Sequence, residues 1–164
     1  MELKTPPFLS GLGKDELEVL MEYLEPVEFG PDEDVVVEGT EGNEMFILVD
    51  GRIQIFKRVV IPKGGISRVK ERSVAVLGPE EAGVVGETSL FTGLPRTATV
   101  RTLTRCLFLV LKRDDFNRLM EEHPHVAAKL LVRICKTLCH RVDDLNNKLM
   151  KLTTALALIA RMSY

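Results

Sequence analysis

Apolar and polar positions follow three rhythms along this chain. Over residues 8–24, Leu17, Leu20, Met21 and Leu24 recur at helical spacing, which predicts a helix capped by Ser10 or Asp15 and stopped by Pro26. From Val27 to Leu111 the apolar runs shorten to strand length, at residues 35–37, 45–49, 53–55, 74–76, 84–85, 97–100 and 107–111. Turn signals separate them: Gly30-Pro31, Gly39, Gly42, Asp50-Gly51, Gly64-Gly65, Gly78-Pro79 and Gly93. Asp50-Gly51 between two apolar runs predicts a tight hairpin. Many short antiparallel strands with regular turns predict a jelly roll or a similar closed β-roll.

After Lys112 the helical rhythm returns. Asp114 or Asp115 can cap a helix through Glu122, and His123-Pro124 breaks it. A long helix then runs from about His125 towards Met162. Its apolar positions are Leu131, Cys135, Leu138, Val142, Leu145, Leu149, Leu152, Leu156 and Ile159, in alternating steps of four and three. That spacing is a coiled-coil seam and predicts a homodimer through residues 131–159, although the first half of the helix can also pack on its own roll. The expected organisation is α+β: residues 1–124 form an antiparallel β-roll domain with a short N-terminal helix, and residues 125–164 a long C-terminal helix.

Composition narrows the function classes. The chain has 164 residues, 45% of them hydrophobic, enough for one well-cored domain with an appendage. A net charge of −2 gives no electrostatic footprint for nucleic acid. No apolar run reaches membrane-spanning length, the start Met1-Glu2-Leu3-Lys4 lacks a secretory pattern, and Cys106, Cys135 and Cys139 form no disulfide framework. A cytoplasmic protein with no membrane partner is expected. The stretch from Lys57 to Arg72 holds six Lys/Arg against Glu71 alone, and reads as a solvated hairpin extension or as a basic arm for an acidic partner.

Candidate chemistry concentrates between Gly86 and Val100. A carboxylate, Glu87, is followed by the small residues Thr88 and Ser89, and Arg96 returns ten residues after Gly86, beside Thr97 and Ala98. Small residues let backbone N–H groups approach an anion, and arginine offers two donors to two phosphate oxygens. A carboxylate can accept hydrogen bonds from a sugar hydroxyl. One phosphate and one hydroxyl together describe a nucleotide, and a lone arginine suits a single phosphate.

These residues resemble those of the cyclic nucleotide-binding domain family, which includes bacterial catabolite activator proteins, kinase regulatory subunits and channel gating domains. The resemblance runs from Phe8 to about Asn147. It is visible in Glu41-Gly42-Asn43-Glu44-Met45-Phe46 with Asp50-Gly51, and in Gly86-Glu87 through Pro95-Arg96-Thr97-Ala98. It implies a phosphate-binding cassette helix and cAMP or cGMP as ligand, with no cofactor. It also implies that Arg96 grips the cyclic phosphate and Glu87 the ribose 2′-hydroxyl. Backbone N–H groups around Thr88 and Ser89, with the Ser89 hydroxyl, complete the cradle among Gly86, Thr97 and Ala98. The Thr97 hydroxyl suits the phosphate or a guanine amino group, and Arg141 falls where the family's long helix faces the base or else is a surface charge. Thr88 departs from the family, which usually has a large aliphatic residue there.

Other classes fit less well. The histidines, His123, His125 and His140, all lie in the helical tail, so a metal-dependent β-roll enzyme lacks ligands on its strands. Cys135, Cys139 and His140 lack a fourth ligand, the early cysteines of an iron–sulfur sensor are missing, and no Ser-His-Asp arrangement is evident. A non-enzymatic sensor is expected, with an unknown downstream effector and no direct DNA-binding module before Tyr164. The alternatives are a nucleotide-binding fragment of a transcription regulator, or a degenerate domain in which Glu87 and Arg96 pair and the fold serves only for interaction.

Overall fold

The computed structural model describes residues 5–63, 66–81 and 83–162. The expected Gly64-Gly65 turn, the start Met1 to Lys4 and the last two residues lie outside them. The chain divides into two units, Met1–Leu130 and Leu131–Tyr164.

In the first unit a 3-10 turn (Pro7–Leu9) precedes α1 (Lys14–Met21). The predicted helix over 8–24 is therefore shorter, and neither Ser10 nor Asp15 caps it. The cap position is Gly13, whose N–H donates to the Glu16 carboxylate at 2.8 Å. Pro26 does not stop the helix but sits inside the first strand, β1 (Glu25–Phe29). Helical spacing of the leucines outlasts the helix because Tyr23 and Leu24 are buried without belonging to it.

Seven more strands follow: β2 (Asp34–Val36), β3 (Glu44–Asp50), β4 (Ile53–Lys63), β5 (Ile66–Leu77), β6 (Val84–Val85), β7 (Thr99–Thr102) and β8 (Cys106–Lys112). They form two four-stranded antiparallel sheets, ordered β1-β8-β3-β6 and β2-β7-β4-β5. This is the antiparallel roll expected of the pattern. The Asp50-Gly51 hairpin is not formed, because β3 pairs with β8 and β6 while β4 pairs with β7 and β5. The turn instead carries the chain from one sheet to the other, just past an irregularity in the β3–β8 register between Leu48 and Asp50.

Side-chain alternation places Phe46, Leu48, Phe108 and Val110 in one apolar cluster with Val36, Ile53, Val85, Val100 and Cys106. Phe108 meets Phe29 and Phe46 edge-on, with ring centroids 5.6 and 5.9 Å apart. Burial raises the Cys106 thiol pKa. The intervening residues Met45, Ile47, Leu109 and Leu111 are also buried, so β3 and β8 are dry on both faces. Leu20, Phe116, Leu119 and Leu130 supply buried apolar side chains from the helices.

Within the Lys57-to-Arg72 stretch β4 and β5 pair as a two-stranded ribbon, from Ile53↔Leu77 out to Lys63↔Ile66, with residues 57–60 and 68–72 exposed. A six-residue helix, α2 (Glu87–Thr92), packs on β3. After β8 come α3 (Arg113–Glu122) and α4 (Pro124–Met162), separated at His123. The N-cap of α3 is Lys112, with Asp114 and Asp115 in its first turn. Glu16 accepts from Lys129 at 2.8 Å and pairs with His125 at 2.9 Å, tying α1 to the opening turns of α4. The Lys129 bond, and after it the Gly13 amide, hold the Glu16 carboxyl below its ordinary pKa.

In the second unit α4 begins with Leu131 half-buried and Ile134 buried, and is exposed over residues 142–160. Leu138, Val142, Leu145, Leu149, Leu152, Leu156 and Ile159 are all solvent-exposed, and Cys135 and Cys139 are exposed thiols.

Candidate functional site

The two motifs quoted above close on one another around Arg96. Its backbone N–H donates to Thr40 O at 2.8 Å, and its carbonyl accepts from Gly39 N–H at 2.8 Å. The cassette end is thereby stitched to the loop before β3. The guanidinium then runs inward: Nη1 donates to Glu44 O at 2.7 Å and to Gly86 O at 3.3 Å. Nη2 donates to Glu44 Oε1 at 2.7 Å, an ion pair in which the arginine side chain is 3% exposed and the glutamate 29%. The guanidinium carbon sits 5.8 Å from the Phe46 ring centroid, within range of a cation–π contact.

Two glycines make room for this arrangement. A Cβ on Gly42 would lie 2.2 Å from Arg96 Nε and 2.3 Å from Cζ, so any larger residue must push the guanidinium away. Gly86 has φ +85°, a left-handed conformation that side chains disfavour, and a Cβ there would lie 2.5 Å from Arg96 Nη1. Gly42 thus marks close approach to the cation rather than only a turn.

The remaining predicted site residues fall as follows. Gly86 is the N-cap of α2, and Glu87 and Ser89 are buried within its first turn. Thr88 is half-buried, and its carbonyl accepts from Thr92 Oγ1 at 2.7 Å. Thr97 is exposed and Ala98 half-buried beside Arg96. Arg141 belongs to the second unit, half-buried on α4. The ion pair formed by Arg96 is to Glu44, a residue inside the quoted first motif that sequence reasoning gave no role. Its only sequence signal was a carboxylate two residues past a glycine, at the mouth of an apolar strand.

Arg113, also missed, holds the far end of the cassette. It donates from Nε to Leu90 O at 2.9 Å and from Nη2 to Ser89 O at 2.6 Å. Its backbone N–H donates to Asn43 O at 2.8 Å, so one residue at the start of α3 touches both motifs. Among the described residues no group of three or more His, Cys, Asp or Glu side chains could hold a metal, and no helix is long and apolar enough to cross a membrane.

One buried arginine, packed closely against Gly42 and Gly86, is the cationic centre on which the two motifs converge. The sequence profile described as Cyclic nucleotide-binding domain matches residues 26–123, and the chain belongs to that family. It is 28% identical over 139 residues to a CRP-like cAMP-activated global transcriptional regulator of Mycobacterium tuberculosis, covering 85% of this chain and 56% of that protein. It is 32% identical over 117 residues to the cAMP-dependent protein kinase regulatory subunit of Dictyostelium discoideum, covering 71% of this chain and 34% of that one. A crystal structure of a cyclic nucleotide-binding domain from Methylobacillus flagellatus superposes with a TM-score of 0.72 at 25% identity, over 84% of this chain and 72% of that one. The chain thus spans little more than half the length of the mycobacterial regulator that it matches.

Proposed function

We propose that this domain binds a cyclic mononucleotide, cAMP or cGMP, and signals its occupancy through α4. The observation that carries this reading is the buried guanidinium of Arg96, held by backbone carbonyls in the space that Gly42 and Gly86 leave for it. In this reading Arg96 takes the cyclic phosphate and Glu87 the ribose 2′-hydroxyl. Backbone N–H groups of Thr88 and Ser89, with the Ser89 hydroxyl, line the phosphate beside Gly86 and Ala98. Thr97, which is exposed, adds a hydroxyl suited to the phosphate or to a guanine amino group. The mycobacterial relative is described as cAMP-activated, which favours cAMP.

Ligand moves such a domain only by binding one arrangement better than another. The stripe over residues 131–159, exposed from Cys135 onward, is the output surface we assign to it. It pairs with a second copy, and occupancy resets that pair to act on an effector. Regulation rather than catalysis is in keeping with the relatives named above.

Titration calorimetry with cAMP and cGMP tests the reading, the expected result being saturable heat at one site per chain. A second reading, a domain of this fold that acts only in interaction, is favoured by one observation: Arg96 already has a carboxylate partner. Absence of heat and of thermal shift with both nucleotides at millimolar concentration selects it.

A further inference from the structure

The Arg96–Glu44 pair is asymmetric. The guanidinium is almost sealed, with its edge on two backbone carbonyls, its plane against Gly42 and a phenyl ring nearby. None of those contacts needs the Glu44 carboxylate. The carboxylate, half-buried, is the more exposed partner, with Oε1 on Arg96 Nη2 and Oε2 accepting from the Asn43 N–H at 3.0 Å. If one member of the pair leaves, the fold favours glutamate as the one that moves.

A buried guanidinium without a counter-ion is strongly unfavourable, so something anionic has to face it whether or not ligand is bound. A cyclic phosphodiester carries one negative charge, the same as a carboxylate. We infer that Glu44 is the resident counter-ion of Arg96, that a cyclic phosphodiester binds by exchanging with it one charge for one, and that Glu44 therefore sets the affinity of the site. Lys112, whose ammonium donates to Glu25 at 2.7 Å, stands directly opposite Glu44 in the β3–β8 register, so the displaced carboxylate would share a cation that already has one partner. This inference rests on the nucleotide-binding reading above and adds to it the residue that opposes binding.

The exchange predicts opposite effects of one substitution. Glu44→Gln keeps an acceptor for Arg96 but removes the competing charge. Wild type, Glu44→Gln and Glu28→Gln are titrated with cAMP and cGMP by calorimetry and melted without ligand. Glu28, which pairs with exposed Arg105 on another strand, controls for net charge. The expected result is that Glu44→Gln binds about 10- to 100-fold more tightly, the range for losing a competing charged hydrogen bond. The same variant melts at lower temperature without ligand, and Glu28→Gln matches wild type in affinity.

Binding by Glu44→Gln with a silent wild type supports the exchange in its strongest form. Binding by wild type with equal or weaker binding by Glu44→Gln overturns the exchange and leaves the nucleotide reading standing. Silence from both overturns the two together. Should Glu44→Gln fail to fold, wild type supplies the test: saturation with the nucleotide should speed hydrogen exchange of the Asn43 amide as its carboxylate acceptor leaves. Unchanged protection overturns the inference.

Discussion

The hollow around Arg96 and the α4 stripe depart from ordinary burial in opposite directions. In the roll, charged and polar groups are hidden: Arg96, Glu87, Ser89 and Thr99 are all buried. Along α4, leucines lie open to solvent at a spacing that repeats every seven residues. Buried charge and exposed contiguous apolar surface are the two placements that folding alone does not favour. The hollow answers with a partner from its own chain, Glu44, and with backbone carbonyls. Leu138, Val142, Leu145, Leu149, Leu152 and Leu156 of the stripe remain exposed. Charge in the roll is met by groups of the same chain, whereas the apolar stripe is the surface we assign to a second copy.

Four perturbations break or sharpen that contrast, beginning with the largest expected effect. Arg96→Ala should weaken cyclic nucleotide binding by about 2–5 kcal/mol, read by calorimetry, because it removes the cation that faces the phosphate. Gly42→Ala should destabilise the ligand-free domain by about 1–3 kcal/mol in denaturant melts, since its Cβ overpacks the guanidinium. It should also weaken binding without removing any polar group. Leu145→Asp should change stability by no more than about 0.5 kcal/mol, because the side chain is 60% exposed, yet should give a monomer by light scattering. Dimers that persist would move the contact away from the stripe. Last, iodoacetamide at neutral pH should label Cys139 and leave Cys106 untouched in intact-mass spectra. The former is exposed, whereas Cys106 is buried with its thiol pKa raised.

Sequence pattern made the strands and the cassette legible because both rest on local chemistry. A run such as Met45 to Val49 cannot face water on either side, and Gly86 with Arg96 only makes sense if the chain folds back. What local pattern could not disclose was pairing across distance. Asp50-Gly51 carries a hairpin signal, yet β3 finds its partner in β8, dozens of residues away, and that long-range ladder overrides the turn. The predicted first helix was too long because burial of Tyr23 and Leu24 mimics helical periodicity. Glu44 and Arg113 escaped notice for the same reason as the ladder. Each acts on a segment remote in sequence, and a single charged residue carries no period to betray it.

The long ribbon has a consequence of its own. Strand β7 covers β4 only from Ile53 to Phe56, and beyond that point β4 and β5 are paired with each other alone. The outer span can therefore grow or shrink without reshaping the roll, provided that both strands change together. Adding one residue to each strand turns every side chain beyond the insertion to the opposite face, whereas adding two restores the original presentation. Length variants of this arm are thus a ruler with a built-in parity, able to report whether anything in the cell reads one of its faces.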